Sequence, residues 1–176
     1  TATFTPTANL SGVAVIRVLA GVFTDAAGNP NLGAELSLAN DISFSWVRSW
    51  GASGRDEVLA TAVDGAGNVY AAGRFSGTVD FDPGVGVVAL TAVGESGGFV
   101  TKMDRQGSLL WARAMGGAGA VEVRGLAIDP AGGVHLAGSF SGTVDIDPGE
   151  GVFSLTSRGA TDVFVAKLDT EGRFQW

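Results

Sequence analysis

Paired aspartates before a Pro-Gly turn are the side chains of this chain with the clearest potential for chemistry. Asp80 and Asp82 stand in the phrase Asp-Phe-Asp-Pro-Gly, and Asp145 and Asp147 stand in Asp-Ile-Asp-Pro-Gly. Carboxylates two residues apart on a strand point to the same face, and with turn carbonyls they offer the hard oxygen ligands that Ca²⁺ prefers. An aspartate entering such a turn also caps its backbone. These four aspartates are therefore candidate calcium ligands, with turn capping as the alternative, and no other cofactor is predicted.

Two glutamates and the single histidine are the candidates for acid–base chemistry. Glu57 and Glu122 occupy matching places before a strand; they could form a carboxylate pair of the kind that glycosidases use, or stay solvated or cap a turn. His135 has Tyr70 at its matching place, which favours a packing or surface role over that of a general base. The chain has no cysteine, and no serine stands in a nucleophile-elbow context. The sequence thus predicts no catalytic residue.

These side chains belong to a repeat of 65 residues. Trp46, Trp111 and Trp176 follow one another at that interval, and "FSGTVDFDPGVGVVALT" at 75–91 recurs as "FSGTVDIDPGEGVFSLT" at 140–156. One supersecondary unit copied and stacked gives such a pattern. A large ring that recurs at one position is explained better by filling the space between adjacent units than by stacking on sugars.

The elements that position these residues are predicted to be strands. Glycine is frequent, with 28 residues, and it interrupts every window that could hold a helical period. Four linkers place an aspartate at a strand end and a glycine three residues later, which suits short hairpin loops. Each unit then has four antiparallel strands, and such sheets hide their faces by packing radially as propeller blades. An extra hairpin within 76–98, and in its copy, is expected to project from one rim.

Two stretches resemble known bacterial families. "TATFTPTANLSG" followed by "GVFTDAAGNPN" resembles the C-terminal half of bacterial Ig-like domains of large surface proteins. "EVLATAVDGAGNVYAAGRFSG" and "GGFVTKMDRQGSLLWARAMGG", with their copies "EVRGLAIDPAGGVHLAGSFSG" and "DVFVAKLDTEGRFQW", resemble the bacterial seven-bladed β-propeller (SBBP-type) repeat of secreted and surface-attached proteins. The second resemblance implies an extracellular β-propeller and no particular activity.

The predicted fold is therefore all-β. A partial Ig-like β unit is expected at residues 1–43, with strands at 3–5, 13–19 and 35–39. About two four-stranded antiparallel propeller blades are expected at 44–176, as units 46–110 and 111–175. Within them, 58–115 should form one full sheet and 123–168 a three-stranded sheet with an open edge. In a longer parent protein, the strand from Phe44 to Trp50 should pair beside the third strand of the last blade.

Charge and composition limit the partners. A net charge of −7, a pI near 4.5 and no basic cluster argue against nucleic acid, and no apolar run is long enough to insert into a membrane. We expect a section of a larger bacterial protein, secreted or at the cell surface, whose export signal and further blades lie elsewhere in the parent. Its predicted function is a non-enzymatic scaffold or binding module for a protein or glycan, with the propeller domain of a secreted polysaccharide-active enzyme as the alternative.

Overall fold

The N-terminal part of the chain contributes one antiparallel strand pair. The computed structural model describes residues 46–176 and, before them, the backbone of β1 (Ala14–Val18) and β2 (Ala34–Leu38). Ala14 lies opposite Leu38 in this pair. Two of the three strands predicted in this region coincide with β1 and β2, and the third, at 3–5, lies outside the described residues.

The chain divides into two compact units, Thr1–Ser45 and Trp46–Trp176. All strands described in the second unit pair in antiparallel sheets, as the glycine-interrupted sequence predicts, and one isolated bridge, between Ser96 and Ala120, is parallel. Among the described residues there is no helix with the length and hydrophobicity needed to cross a bilayer.

The first repeat forms a four-stranded antiparallel meander in which a short hairpin is inserted between the second and third strands. Its strands are β3 (Glu57–Val63), β4 (Val69–Phe75), β7 (Gly97–Met103) and β8 (Leu109–Gly117). Alternating side chains along these strands produce one face on each side of the sheet. The sheet covers the predicted span of 58–115.

The second repeat forms a three-stranded sheet with β10 in the centre. Its strands are β9 (Val121–Ile128), β10 (Val134–Phe140) and β13 (Asp162–Leu168). A short pairing follows, in which Phe174 bridges to Leu168. The three strands lie within the predicted span of 123–168, and β13 and β9 are the two edge strands.

Each repeat also carries a short hairpin, and one of these departs from the prediction. The hairpins are β5 (Thr78–Asp80) with β6 (Ala89–Thr91), and β11 (Thr143–Asp145) with β12 (Ser154–Thr156).

The second hairpin does not simply project from a rim, because β11 pairs with β8 and extends the first sheet to six strands. The end of β8 offers unpaired backbone groups to β11. Gly117 permits the close approach: a Cβ there would lie 2.4 Å from the Thr143 carbonyl oxygen.

The tight turns follow the aspartate-to-glycine spacing of the sequence. In each of the four, the aspartate Oδ1 accepts hydrogen bonds from the backbone N–H groups two and four residues later. The glycine three residues after the aspartate has a φ between 77° and 85°. Only glycine takes that conformation without strain, so the turns were predictable. The aspartates are Asp64, Asp104, Asp129 and Asp169.

The two sheets pack face to face. Tyr70, Ala72 and Val100 on one face of the first sheet share a buried cluster with Val121 and Val123 of β9. The other face of the first sheet packs with its own hairpin in a second cluster, which is built around three phenylalanines and Ala112. Residues of the two repeats thus bury each other. The phenylalanines are Phe75, Phe81 and Phe99.

Candidate functional site

The four candidate calcium ligands lie in two equivalent hairpin loops and cap their own backbone. Asp80 Oδ1 accepts hydrogen bonds from the N–H groups of Asp82 (3.0 Å) and Val88 (2.8 Å). Asp82 Oδ1 accepts one from the Gly84 N–H at 2.7 Å. The second loop repeats this arrangement with closely similar distances, through Asp145 and Asp147.

One oxygen of each aspartate is therefore committed to backbone donors. A cation would have to compete with these N–H donors or bind the second carboxylate oxygens. In the part of the chain that the structure describes, no three His, Cys, Asp or Glu side chains converge into a metal-binding group. Calcium binding by the two loops stays a prediction, and the observed contacts are those of turn capping.

A contact that recurs with the repeat joins segment 46–50 and β8 to turns of the neighbouring sheets. Residues 46–50, which fall within the strand predicted from Phe44 to Trp50, form no strand in this structure and are held by side-chain contacts instead. Trp46 Nε1 donates a hydrogen bond to the Arg105 carbonyl at 2.9 Å. Arg48 donates from Nε to the Gly107 carbonyl (2.9 Å) and from Nη2 to the Gln106 carbonyl (3.2 Å). The guanidinium also lies over the Trp46 ring, 5.8 Å from its centroid. We call this pair the Trp-Arg clamp.

The second clamp is Trp111 with Arg113 on β8, and it holds the turn that follows β13. Trp111 Nε1 donates to the Thr170 carbonyl at 3.1 Å. Arg113 donates from Nε to the Gly172 carbonyl (3.2 Å) and from Nη2 to the Glu171 carbonyl (2.8 Å). Trp111 also packs against the inter-sheet core, as its recurrence predicts, whereas Trp176 is 55% exposed. Sequence reasoning missed the arginines, although Arg48 and Arg113 recur at the same interval.

Glu57 and Glu122 do not face each other as a bare carboxylate pair, because Arg74 bridges them. Its Nε lies 2.7 Å from Glu57 Oε2, and its Nη1 bonds Glu122. Arg55 adds a second partner for Glu57 at 2.8 Å, and Arg124 does so for Glu122. Arg74 and Glu122 expose only 19% and 16% of their side chains, so the bridge joining the two repeats is mostly shielded from solvent.

The bridge has an electrostatic consequence for Glu57. Hydrogen bonds from Arg55 and then from Arg74 lower the pKa of its carboxyl below the ordinary value. A glycosidase general acid needs the opposite shift, since it must hold a proton near neutral pH. Glu57 is therefore held as an anion and serves as an acceptor for the two arginines.

A groove of about 440 Å³ lies against this bridge. Several of its lining side chains depart from the repeat: Arg74 corresponds to Ser139, Glu95 to Ala160 and Arg124 to Leu59. The groove therefore brings together charged side chains that have an uncharged residue at the matching position of the other repeat. The lining residues are Arg74, Glu95, Ala120, Glu122, Arg124, Ser139, Phe140, Ser141, Ala160 and Thr161.

His135 lies in an ion cluster that stabilises a turn. Asp129 Oδ2 lies 3.0 Å from His135 Nε2 and 2.8 Å from Lys167 Nζ. These contacts hold the pKa of Asp129 well below its usual range. The hydrogen bond from Lys167 contributes most to the lowering, and the bond with His135 is next. In the first repeat Tyr70 bonds Asp64 in the same way, from its hydroxyl at 3.2 Å. The shared arrangement supports the packing role expected for this position.

Comparison with known families gives a match for the N-terminal unit. A family described as bacterial Ig-like domain matches residues 1–42, which agrees with the resemblance seen in that part of the sequence. The match covers about a quarter of the chain, and no propeller-repeat family was found for the remainder. No curated protein matches the chain.

Proposed function

We propose that residues 46–176 are part of a β-propeller scaffold, non-enzymatic and secreted or displayed at the cell surface, that binds a protein or a glycan. The observation that carries this proposal is the Trp-Arg clamp, which occurs twice at an interval of 65 residues. Propeller blades stack only on their neighbours, so a contact that repeats at every junction is what such an array requires. The partners of the two sheets would be further blades of the parent chain.

The groove beside Arg74 is the proposed ligand site. In a repeat array, positions that keep the stack together recur, whereas positions that depart from the repeat can specialise. Arg74, Glu95 and Arg124 depart, and they place fixed donors and acceptors around a space of about 440 Å³. A ligand with alternating hydroxyl or amide groups suits such a lining, because each group can both donate and accept hydrogen bonds. Saccharides and polypeptides both have this chemistry.

The alternative is the propeller domain of a polysaccharide-active enzyme. The convergence of Glu57 and Glu122 on Arg74 favours it, since Arg74 and Glu122 both line the groove and bring two carboxylates close together beside it. Two arginines already pair with each carboxylate, and the lowered pKa of Glu57 does not suit the general acid of such a pair, so the contacts argue against the enzyme. The non-enzymatic function is therefore preferred.

A paired binding and hydrolysis assay tests the proposal. The whole chain is applied to an array of bacterial and plant polysaccharides and to a display library of extended peptides, and the polysaccharides are also assayed for release of reducing ends. We expect binding without release, and we expect Arg74→Ser, which copies Ser139 of the other repeat, to weaken binding about tenfold. Arg105→Ser is the matched control, since that exposed arginine lies outside the groove.

Two results would contradict this function. Release of reducing ends that Glu122→Gln abolishes would establish the enzyme alternative. Equal ligand binding by the Arg74→Ser and wild-type chains would remove the groove as the binding site.

A further inference from the structure

Arg124 occupies a β-bulge that both repeats share. Val123 and Gly125 of β9 pair with two adjacent residues of β10, so Arg124 between them is the extra residue of the strand. In the first repeat Leu59 is the extra residue at the matching place on β3. A bulge re-aims the side chain of its extra residue, and bulges are frequent beside functional sites. The shared bulge therefore displays a cation in one repeat and an apolar side chain in the other.

The two arginines that line the groove keep hydrogen-bond donors that no residue within 46–176 accepts. Arg124 bonds Glu122 through Nη2, and Arg74 bonds its two glutamates through Nε and Nη1. Arg124 Nε and Nη1 and Arg74 Nη2 have no partner in this part of the chain. Both oxygens of Glu122 are already engaged, one by each arginine. Guanidinium groups with open N–H donors suit a carboxylate, so this side of the groove can hold an acidic group.

Glu95 gives the same groove an acceptor of opposite charge. Its side chain is exposed, and no hydrogen bond or ion pair joins it to another of residues 46–176. A carboxylate has two oxygens and can accept from two adjacent hydroxyl groups at once. The groove thus combines a side that suits a carboxylate with a side that suits hydroxyl groups.

These charged groups lie where the two sheets meet. Arg74 belongs to β4 of the first sheet, Arg124 to β9 of the second, and Glu95 to the loop between β6 and β7. Arg74 also bonds Glu122 across this junction. The charged side of the groove is therefore assembled from residues 46–176 alone.

We propose that the groove binds a hexuronate unit of an acidic polysaccharide. One uronate ring carries a carboxylate and adjacent hydroxyl groups in fixed relative positions, which matches Arg124 and Arg74 on one side and Glu95 on the other. An acidic peptide carries its carboxylates on flexible side chains and has no adjacent hydroxyl pair, so it fits less well. The inference rests on the proposed function, because it names the ligand class of the same groove.

The size of the groove and the charge of the chain determine the suitable probe. A volume of about 440 Å³ lies within the usual range for small-ligand sites. The net charge of −7 repels a long polyanion, but this long-range repulsion is screened at physiological salt, where the Debye length is about 8 Å. Short oligouronates at that salt concentration therefore test the local contacts.

Calorimetric titration of the whole chain with short oligomers of galacturonate, glucuronate and mannuronate tests the inference. The fully methyl-esterified oligomers keep the ring and its hydroxyl groups but lose the charge, and short oligoglutamate peptides keep only the carboxylates. We expect at least one oligouronate to bind about tenfold more tightly than its ester and than oligoglutamate, since a charge-assisted contact to the guanidinium groups is lost or misplaced in the other two.

Variants that copy the other repeat assign this preference to individual side chains. Arg124→Leu, which copies Leu59, should abolish the preference for uronate over ester. Glu95→Ala, which copies Ala160, should weaken the binding of both ligands by a similar factor. The matched controls Arg158→Val and Glu150→Val make the same charge changes at exposed positions outside the groove, also copy the other repeat, and should leave binding unchanged.

The inference is overturned if no oligouronate binds more tightly than its ester, or if Arg124→Leu keeps the preference. Tighter binding of oligoglutamate would assign the groove to an acidic peptide instead. In each of these cases the proposed function still stands, provided that Arg74→Ser weakens the binding of a neutral glycan or a peptide. If Arg74→Ser changes the binding of no ligand, the groove itself is refuted as the binding site.

Discussion

Replacing Arg113 with alanine should lower the free energy of unfolding of residues 46–176. Among the part-exposed arginines that lie outside the Arg74 bridge, Arg113 should have the largest effect. The side chain donates to two carbonyls of the turn after β13 and lies over the Trp111 ring, 5.5 Å from its centroid. It joins the first sheet to the second, so its loss weakens the junction rather than one strand.

The magnitude follows from the two cross-sheet hydrogen bonds. A hydrogen bond with one charged partner contributes about 1.5–3 kcal/mol when shielded from water. The bond to Gly172 is part-buried and the bond to Glu171 is exposed, so the second contributes much less. We expect a loss of about 2–3 kcal/mol, which lowers the unfolding midpoint of a unit of this size by roughly 7–11 °C.

Urea unfolding followed by tryptophan fluorescence measures this loss. Arg113→Lys keeps the charge and a single donor group, so its stability should fall between those of the wild type and Arg113→Ala. Arg105→Ala is the control, with an expected change below about 0.5 kcal/mol. If Arg113→Ala is no less stable than Arg105→Ala, the clamp does not hold the sheets together and the reasoning fails.

Three further predictions concern the loops, the ion cluster and the added hairpin. Asp145→Ala should lower the free energy of unfolding by about 1–2 kcal/mol, because two backbone N–H groups lose their hydrogen-bond acceptor. Asp145→Asn keeps the acceptor and should be near wild type in stability. If the carboxylates only cap the turns, millimolar Ca²⁺ should leave the unfolding midpoints of the wild type and of Asp145→Asn unchanged. Asp129 has a lowered pKa, so its contribution is present above the unfolded-state pKa of about 3.9 and is lost as pH falls below it. Asp129→Asn should therefore show a shallower loss of stability between pH 5 and pH 2 in urea titrations. Gly117→Ala should lower the free energy of unfolding by about 1–3 kcal/mol, because the added methyl group pushes β11 away from β8. Gly65→Ala is the control, and it should leave the free energy of unfolding unchanged because the space around Gly65 is open.

Each of these has its own contrary outcome. A calcium-dependent rise in the wild-type midpoint that Asp145→Asn abolishes would make the carboxylate a ligand rather than a cap. A stability difference between wild type and Asp129→Asn that stays constant down to pH 2 would remove Asp129 as a source of acid sensitivity. Equal stability of the two glycine variants would show that β11 does not need Gly117.

Local patterns predicted the strands and turns because these depend on short spacings. The turn at Asp104 is an example, since aspartate supplies the acceptor and Gly107 supplies the positive φ within four residues. The predicted sheet spans, 58–115 and 123–168, likewise lie close to the observed limits of the strands at 57–117 and 121–168. Both features are properties of a few neighbouring residues and need no knowledge of tertiary contacts.

Contacts across the repeats were not predictable in the same way. Arg74 corresponds to a serine, Ser139, in the second repeat, so the repeat gives no pattern from which Glu57 and Glu122 could be predicted as its partners. The pairing of β11 with β8 depends on an unpaired edge in another repeat, which no short spacing encodes. The Asp-Pro-Gly loops were ambiguous because capping and calcium binding require the same carboxylates.

The most direct test of the stacked repeat is a disulfide engineered across the two sheets. The natural sequence has no cysteine, so Gly98→Cys with Val121→Cys introduces the only pair. A Cβ on Gly98 would lie 3.4 Å from Val121 Cβ, close to the spacing that a disulfide needs. The account predicts complete intramolecular bond formation under mild oxidation, by mass spectrometry and thiol titration, and little for Gly98→Cys with Ala137→Cys, which faces away from the first sheet. Free thiols in the first pair, or equal bond formation in both, would contradict it.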